Sequence, residues 1–352
     1  MFNFACDIDV YRLWAQVMMK ELTPLRYQRK YHCCYASRKN RYAYANGHEA
    51  IMARYGKFVV QAARVPGIFS SALGDFGYIF RSPDMHQIEE IIRFIHDTQG
   101  GRPMHIEEHH WHSPRLGRDM VVKVYGHWGR PLIVFPSARG RYFDYEGMGM
   151  VAAIAPFIDG GRFKLFCVDS IDAHSWYDFS VPPAERNSRH EQYDQYITTE
   201  VVPFVRRHCS DDGLRIMTNG CSMGALHAVN FFLRHPDLFA GTIALSGLYR
   251  LDRQEFGIGA NDLAAVYYNS PVSYLPDLTD PWYVDRYRER SIIIAVGQGA
   301  WEEEAIEDTR ALDTIFNNKG IDAWIDYWGH DVNHDWPWWY KQMNYFLGRL
   351  YG

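Results

Sequence analysis

The sequence predicts an α/β protein with a mostly parallel central sheet, preceded by a small N-terminal α/β segment. Three observations carry this expectation. From Met120 onward, short apolar runs of strand length alternate with segments of helical periodicity, the pattern of successive βαβ units. One of these runs leads directly into Gly-x-Ser-x-Gly and then into a helix. The rhythm also breaks at HDTQGGRP, residues 96–103, which divides a small domain (1–103) from a larger one (104–352).

In the small domain, Asp7–Met19 reads as a helix, with Tyr11, Trp14, Val17 and Met18 at helical spacing. Lys30–Ala36 and Phe58–Ala63 read as strands and Met85–His96 as a helix. In the large domain the expected strands are Met120–Tyr125, Pro131–Phe135, Lys164–Val168, Leu214–Thr218, Gly241–Leu245, Ile292–Val296 and Ala323–Tyr327. Between and after them lie helices at Gln192–His208, Met223–Arg234, Thr309–Asn318 and Trp338–Leu350. Ligands on such sheets bind beyond the carboxyl ends of the strands, so the residues just after each strand are where chemistry is to be sought.

Composition excludes several classes. Lys and Arg number 37 against 42 Asp and Glu, a net charge of −5, and no basic run is present, so a nucleic-acid partner is not expected. The longest stretch without Asp, Glu, Lys or Arg, Ile216–Leu233, carries Asn219, Ser222, His227 and Asn230 and is too polar for a membrane span. No basic region followed by an apolar run opens the chain, so no signal peptide is expected. The six cysteines lack a C-x-x-C spacing and read as reduced thiols of a cytoplasmic protein.

The strongest local motif is Gly220-Cys221-Ser222-Met223-Gly224, with LRIMTN before it and ALHAVNFFLRHP after it. A nucleophile elbow needs this context: a strand, a strained turn whose flanking glycines avoid collisions, and a helix whose N-terminus favours developing negative charge. Serine is a weak nucleophile and requires a base. In chain order the acid precedes the histidine. His334, in GHDVNHDWPWW after the last strand, is the expected base, and His330 a loop residue. The acid should follow SIIIAV, where no Asp occurs at once; Glu302 is chosen over Glu303 and Glu304, with Trp301 expected to anchor the loop and aim the carboxylate inward. Glu303 and Glu304 would begin the next helix. Two backbone N–H groups, those of Met223 and Ala138, are the expected oxyanion donors. Ser175 and Trp176 are candidates for lining the cleft.

From Ser113 to the C-terminus the chain resembles the esterase D and antigen 85-like branch of the α/β-hydrolases. The pieces that carry the resemblance are SPRLGRDMVVKVYGHWGRPLIVFPSARG, VDSIDAHSWY, GCSMGALHAVNFFLRHPDLF, ALSGLY and NHDWPWW. It implies Ser222 as nucleophile, His334 as base and oxyanion donors at Met223 and near Ala138. Many relatives place an Asp where this chain has Gln298-Gly299-Ala300, so Glu302 rests on position alone. The first 100 or so residues resemble the C-terminal end of an ATP-grasp-type protein through FNFACDIDVYRLWA, YASRKNRYAYANGHEAIMARYG and FSSALGDFGYIFRSPD. They carry no phosphate loop, so ATP binding is not expected, and a structural or homo-oligomer interface role is.

The run MHIEEHHWH presents His105, His109, His110 and His112, and His105 and His109 stand at helical spacing. Serine chemistry needs no metal, and neither a metal nor another cofactor is expected. The expected function is a serine carboxylic-ester hydrolase acting on a small-molecule ester. The alternatives are an acyltransferase using the same triad and a non-catalytic binding or scaffold protein with a hydrolase-like fold.

Overall fold

The computed structural model describes residues 13, 16, 18–19, 29–40, 44–66, 73–97 and 104–351. The chain divides into two compact units, residues 1–103 and 104–352. The helix expected at Asp7–Met19 falls almost entirely outside the described residues.

In the first unit, strands β1 (His32–Arg38), β2 (Val59–Arg64) and β3 (Phe76–Ser82) form an antiparallel sheet in the order β1-β3-β2. The central strand, β3, was not expected from the sequence. Helices α1 (His48–Tyr55) and α2 (Met85–His96) pack on it. α2 starts where the Asp84 carboxylate accepts the His86 N–H at 2.9 Å, an N-cap bond. Its Ile88, Ile91 and Ile95, spaced to share one helical face, are buried with Ala36, Ile51, Tyr55, Tyr78 and Phe80 in a core of the unit's own.

The second unit holds an eight-stranded sheet in the order β11-β10-β9-β8-β6-β7-β5-β4. The strands are β4 (Ile106–Ser113), β5 (Arg118–Tyr125), β6 (Arg130–Phe135), β7 (Phe163–Val168), β8 (Ile216–Cys221), β9 (Phe239–Leu245), β10 (Ser291–Val296) and β11 (Trp324–Tyr327). β6 to β11 pair in parallel, while β5 runs antiparallel to both β4 and β7. This is the α/β architecture the alternating pattern implies. Every residue of β7 and β8 is buried, as expected for parallel strands covered on both faces. The principal helices are α3 (Pro183–Tyr196), α4 (Val202–His208), α5 (Met223–Arg234), α6 (Glu303–Asn318) and α7 (Trp336–Tyr351). A π-helical turn, Ile197–Val201, joins α3 to α4 where a single helix from Gln192 was expected.

Two apolar clusters cover the faces of the sheet. One joins β6 and β7 to α3, α4 and α5 through Phe135, Phe166, Tyr193, Val205, Ala228 and Phe231. The other seats α7 through Trp339, Met343, Phe346 and Leu347. Among the described residues no helix is long and apolar enough to cross a membrane.

Register places the chemistry. Phe135 pairs with Gly220, Cys221 with Leu245, Leu245 with Ala295, and Val296 with Tyr327. Neighbouring parallel strands therefore end together, and Ala138, Ser222, Ser246, Glu302 and His334 all follow this one carboxyl edge.

Candidate active site

The segment from β8 to α5 is a sharp strand-to-helix turn. Ser222 stands at its apex with φ 57° and ψ −123°. Its N–H donates to the Leu245 carbonyl at 2.9 Å, which ties the apex to β9. Glycine is required on both sides. A Cβ on Gly220 would lie 2.2 Å from the Gly224 backbone, and one on Gly224 would lie 2.4 Å from the Phe135 carbonyl oxygen. Cys221 just before the serine is buried, and burial pushes its thiol pKa far up, so it stays protonated and inert.

Among the described residues, five non-glycines have positive φ: Arg139, Ser210, Ser222, Ser246 and Trp301. All but Ser210 lie at the carboxyl edge just described. Each costs on the order of 1–3 kcal/mol, and such strain gathers at functional sites.

Glu302 is fully buried. Its Oε2 lies 3.2 Å from His334 Nδ1. Its Oε1 accepts the Ser246 hydroxyl at 2.6 Å and the Gly297 N–H at 3.3 Å. The Ser246 oxygen in turn accepts the Trp339 indole N–H at 3.0 Å. The Trp339 ring meets the His334 ring edge-on at 5.0 Å between centroids. Both carboxylate oxygens are thus engaged, and Nε2 is the imidazole nitrogen left to act on a substrate or nucleophile.

The loop that carries Glu302 is held by the loop that carries His334. Gly299 N–H donates to Val332 O at 2.8 Å, Ala300 N–H to Asn333 Oδ1 at 2.9 Å, and His334 N–H to Ala300 O at 3.1 Å. Trp301 does not anchor this loop as expected: its ring is 82% exposed. Backbone pairing sets the register, and the ring at positive φ is turned into solvent. Glu303 and Glu304 are exposed in the first turn of α6, where negative charge suits the helix dipole. Asp308 is committed elsewhere, to the Tyr249 N–H at 2.8 Å and to Arg253 and Arg250. His330 is exposed.

Met223 and Ala138, the expected oxyanion donors, both follow strands that end at this edge. Met223 opens α5, so its N–H has no intrahelical acceptor. Ala138 sits exposed in the tight turn after β6, closed by Gly140 N–H to Ser137 O at 2.8 Å. Beside this turn lies a cavity of about 260 Å³ lined in part by Arg118, Arg139, Gly140, Asp172 and His174. A larger cavity of about 620 Å³, lined by Leu233, His235, Tyr268, Trp282 and Tyr283, opens at the far end of α5. It lies roughly 18 Å along the helix from Ser222, and its lining includes none of Ala138, Ser222, Ser246, Glu302 and His334.

Two further expectations need correction. Ser175 and Trp176 do not line an open cleft, because both are buried. The Ser175 hydroxyl donates to Ile171 O at 3.2 Å, and Trp176 packs with Met223, Leu226 and Leu251 beneath the elbow. The second correction concerns His105 and His109, whose helical spacing is not used: β4 is a strand.

Another His–carboxylate pair, His227 Nε2 to Asp172 Oδ1 at 2.8 Å, resembles a triad fragment. Both side chains are sealed from solvent, so they brace the core behind the elbow. Sequence reading missed Ser246. The signal available was only that a serine in ALSGLY follows a strand, the position at which site residues gather on such sheets.

With the geometry in place, comparison with known proteins gives the family. The model of the Esterase family, described as "Putative esterase", matches residues 166–350, which is 185 of the 352 residues. Among curated proteins no sequence matches. Solved structures with a similar fold include a ferulic acid esterase, at 17% identity over 71% of this chain and 99% of that one, with a TM-score of 0.56. S-formylglutathione hydrolase (FrmB) from Staphylococcus aureus is similar at 16% identity, 71% and 97% coverage and a TM-score of 0.53. MPT51 (FbpC1) from Mycobacterium tuberculosis is similar at 16% identity, 70% and 97% coverage and a TM-score of 0.57. The family match spans more than half of the chain and takes in the strained serine turn and the Glu302–His334 pair, so this protein belongs to the Esterase family, serine ester hydrolases of the α/β-hydrolase fold.

Proposed function

We propose that the protein hydrolyses small-molecule carboxylic esters through an acyl-enzyme on Ser222. The observation that carries this reading is the contact between Glu302 Oε2 and His334 Nδ1 at the strand edge that also holds the strained Ser222 turn. His334 takes the Ser222 proton as Oγ attacks the ester carbonyl. The Met223 and Ala138 N–H groups stabilise the oxyanion of the tetrahedral intermediate. The protonated imidazole then gives its proton to the leaving alkoxide, and the alcohol departs. Glu302 keeps the Nδ1–H tautomer and stabilises the imidazolium. Water, deprotonated by the same imidazole, attacks the acyl-enzyme, releases the acid and restores Ser222.

A panel of aryl esters of graded acyl length tests the reading. Hydrolysis that stops in Ser222→Ala supports it, and unchanged hydrolysis in that variant overturns it. Counting released acid against product acylated on an added alcohol separates hydrolysis from acyl transfer.

A further inference from the structure

Outside the site just described, β4 and α4 bring together a histidine–carboxylate cluster for which the ester chemistry has no use. In a strand, alternate residues share a face, so Glu107 and His109 point the same way, with His105 one step before them. Their partner across the interface is His208, the last residue of α4. His105 Nε2 lies 2.6 Å from Glu107 Oε1, while His109 Nε2 and His208 Nε2 lie 2.8 and 3.0 Å from Oε2. Ligand atoms of Glu107, His109 and His208 all fall within 4.8 Å of one another.

We propose that Glu107, His109 and His208 bind one zinc ion, with water in the fourth position. Ligand atoms at tetrahedral Zn–N and Zn–O distances of 2.0–2.1 Å stand about 3.3 Å apart, so His109 and His208 need to draw back from Glu107 Oε2 by only a few tenths of an ångström. Imidazole and carboxylate donors suit zinc, which takes the place of the protons that His109 and His208 now present to Glu107 Oε2. The rings are held before any ion arrives. Phe204 packs on His109 at 4.9 Å and on His208 at 5.5 Å, and Phe166 meets His208 edge-on at 5.5 Å. This apolar wall lowers the local dielectric and fixes ring orientation. The site also has an entrance: the His208 side chain is 13% exposed, while those of Glu107 and His109 are 27% and 33% exposed. β4 is the edge strand of the sheet, so the ion would cross-link that edge to the helix layer.

The test is zinc titration of chelator-treated protein by calorimetry, with cobalt absorption spectra as the geometric probe. The expected result is about one equivalent bound, a tetrahedral cobalt spectrum and a rise in Tm on zinc loading. Binding should weaken at least about tenfold in His208→Gln and in His109→Gln, single changes that leave the strand and helix intact. His110→Gln, on the opposite face of β4, should bind as the parent does. No saturable binding near one equivalent, or binding unchanged in His109→Gln and His208→Gln, overturns the proposal.

Discussion

Glu302 reaches His334 at 3.2 Å although the two residues belong to loops after different strands, β10 and β11. The contact exists because those loops are joined by two backbone hydrogen bonds, Gly299 to Val332 and His334 to Ala300, and by the Asn333 side chain, which accepts the Ala300 N–H. A glutamate has one methylene more than an aspartate, so it can serve from a position farther along the loop. Burial removes competing water, and Ser246 together with the Gly297 N–H supplies the hydrogen bonds that an ionised buried carboxylate needs.

Glu302→Gln should therefore lower kcat by roughly three to four orders of magnitude, by analogy with amide replacement of a triad acid. The same change at Glu303 or Glu304 should cost less than about tenfold, because both side chains are exposed at the start of α6. Steady-state hydrolysis of an aryl ester by the three variants checks this.

Ser246→Ala removes the hydroxyl that donates to Glu302 and accepts from Trp339. A hydrogen bond to a charged group is worth about 1.5–3 kcal/mol, so kcat should fall by roughly one to two orders of magnitude with KM nearly unchanged. An unchanged kcat would remove Ser246 from the set that positions the imidazole.

Gly224→Ala forces a Cβ against the Phe135 carbonyl oxygen. Backbone cannot yield as a side chain can, so stability should fall by at least about 1–3 kcal/mol, with loss of activity. Urea unfolding of the variant measures the first effect, and residual ester hydrolysis the second.

Buried His190 is expected to make the fold sensitive to acid. Burial pushes its pKa well below the usual histidine value, with the neighbouring His227 adding to the effect. It stacks on His227 at 5.4 Å and packs against Trp176 and Phe231, and neither ring nitrogen has a hydrogen-bond partner. The folded state keeps this ring neutral, while the unfolded chain takes up a proton below about pH 6.5. Stability should then fall as pH drops below that value, by up to about 1.4 kcal/mol per pH unit from this one group. His190→Phe should flatten the slope by that amount between pH 6.5 and 5. Equal slopes for the two proteins in urea unfolding would refute the assignment.

The strand–helix alternation was legible because parallel strands buried on both faces read as unbroken apolar runs, as in PLIVF and SIIIAV. The serine turn was legible because its two glycines answer a steric need that only glycine meets. β4 was not, since an edge strand built of His, Glu and Trp carries no apolar run, and His105 and His109 fit a helical spacing as well as a strand. Glu302 was readable only by position, because the loop pairing that aims it depends on backbone contacts with residues from another strand. The bulky Trp301 drew the wrong inference for the same reason: a large side chain suggests an anchor, whereas backbone hydrogen bonds already held the loop.

The most direct test of the account is covalent labelling with a fluorophosphonate, followed by peptide mapping by mass spectrometry. The account predicts one adduct per chain, on Ser222, absent from Ser222→Ala and strongly slowed in His334→Ala. An adduct on another serine, or Ser222→Ala protein that still labels and hydrolyses esters at the parent rate, would contradict it.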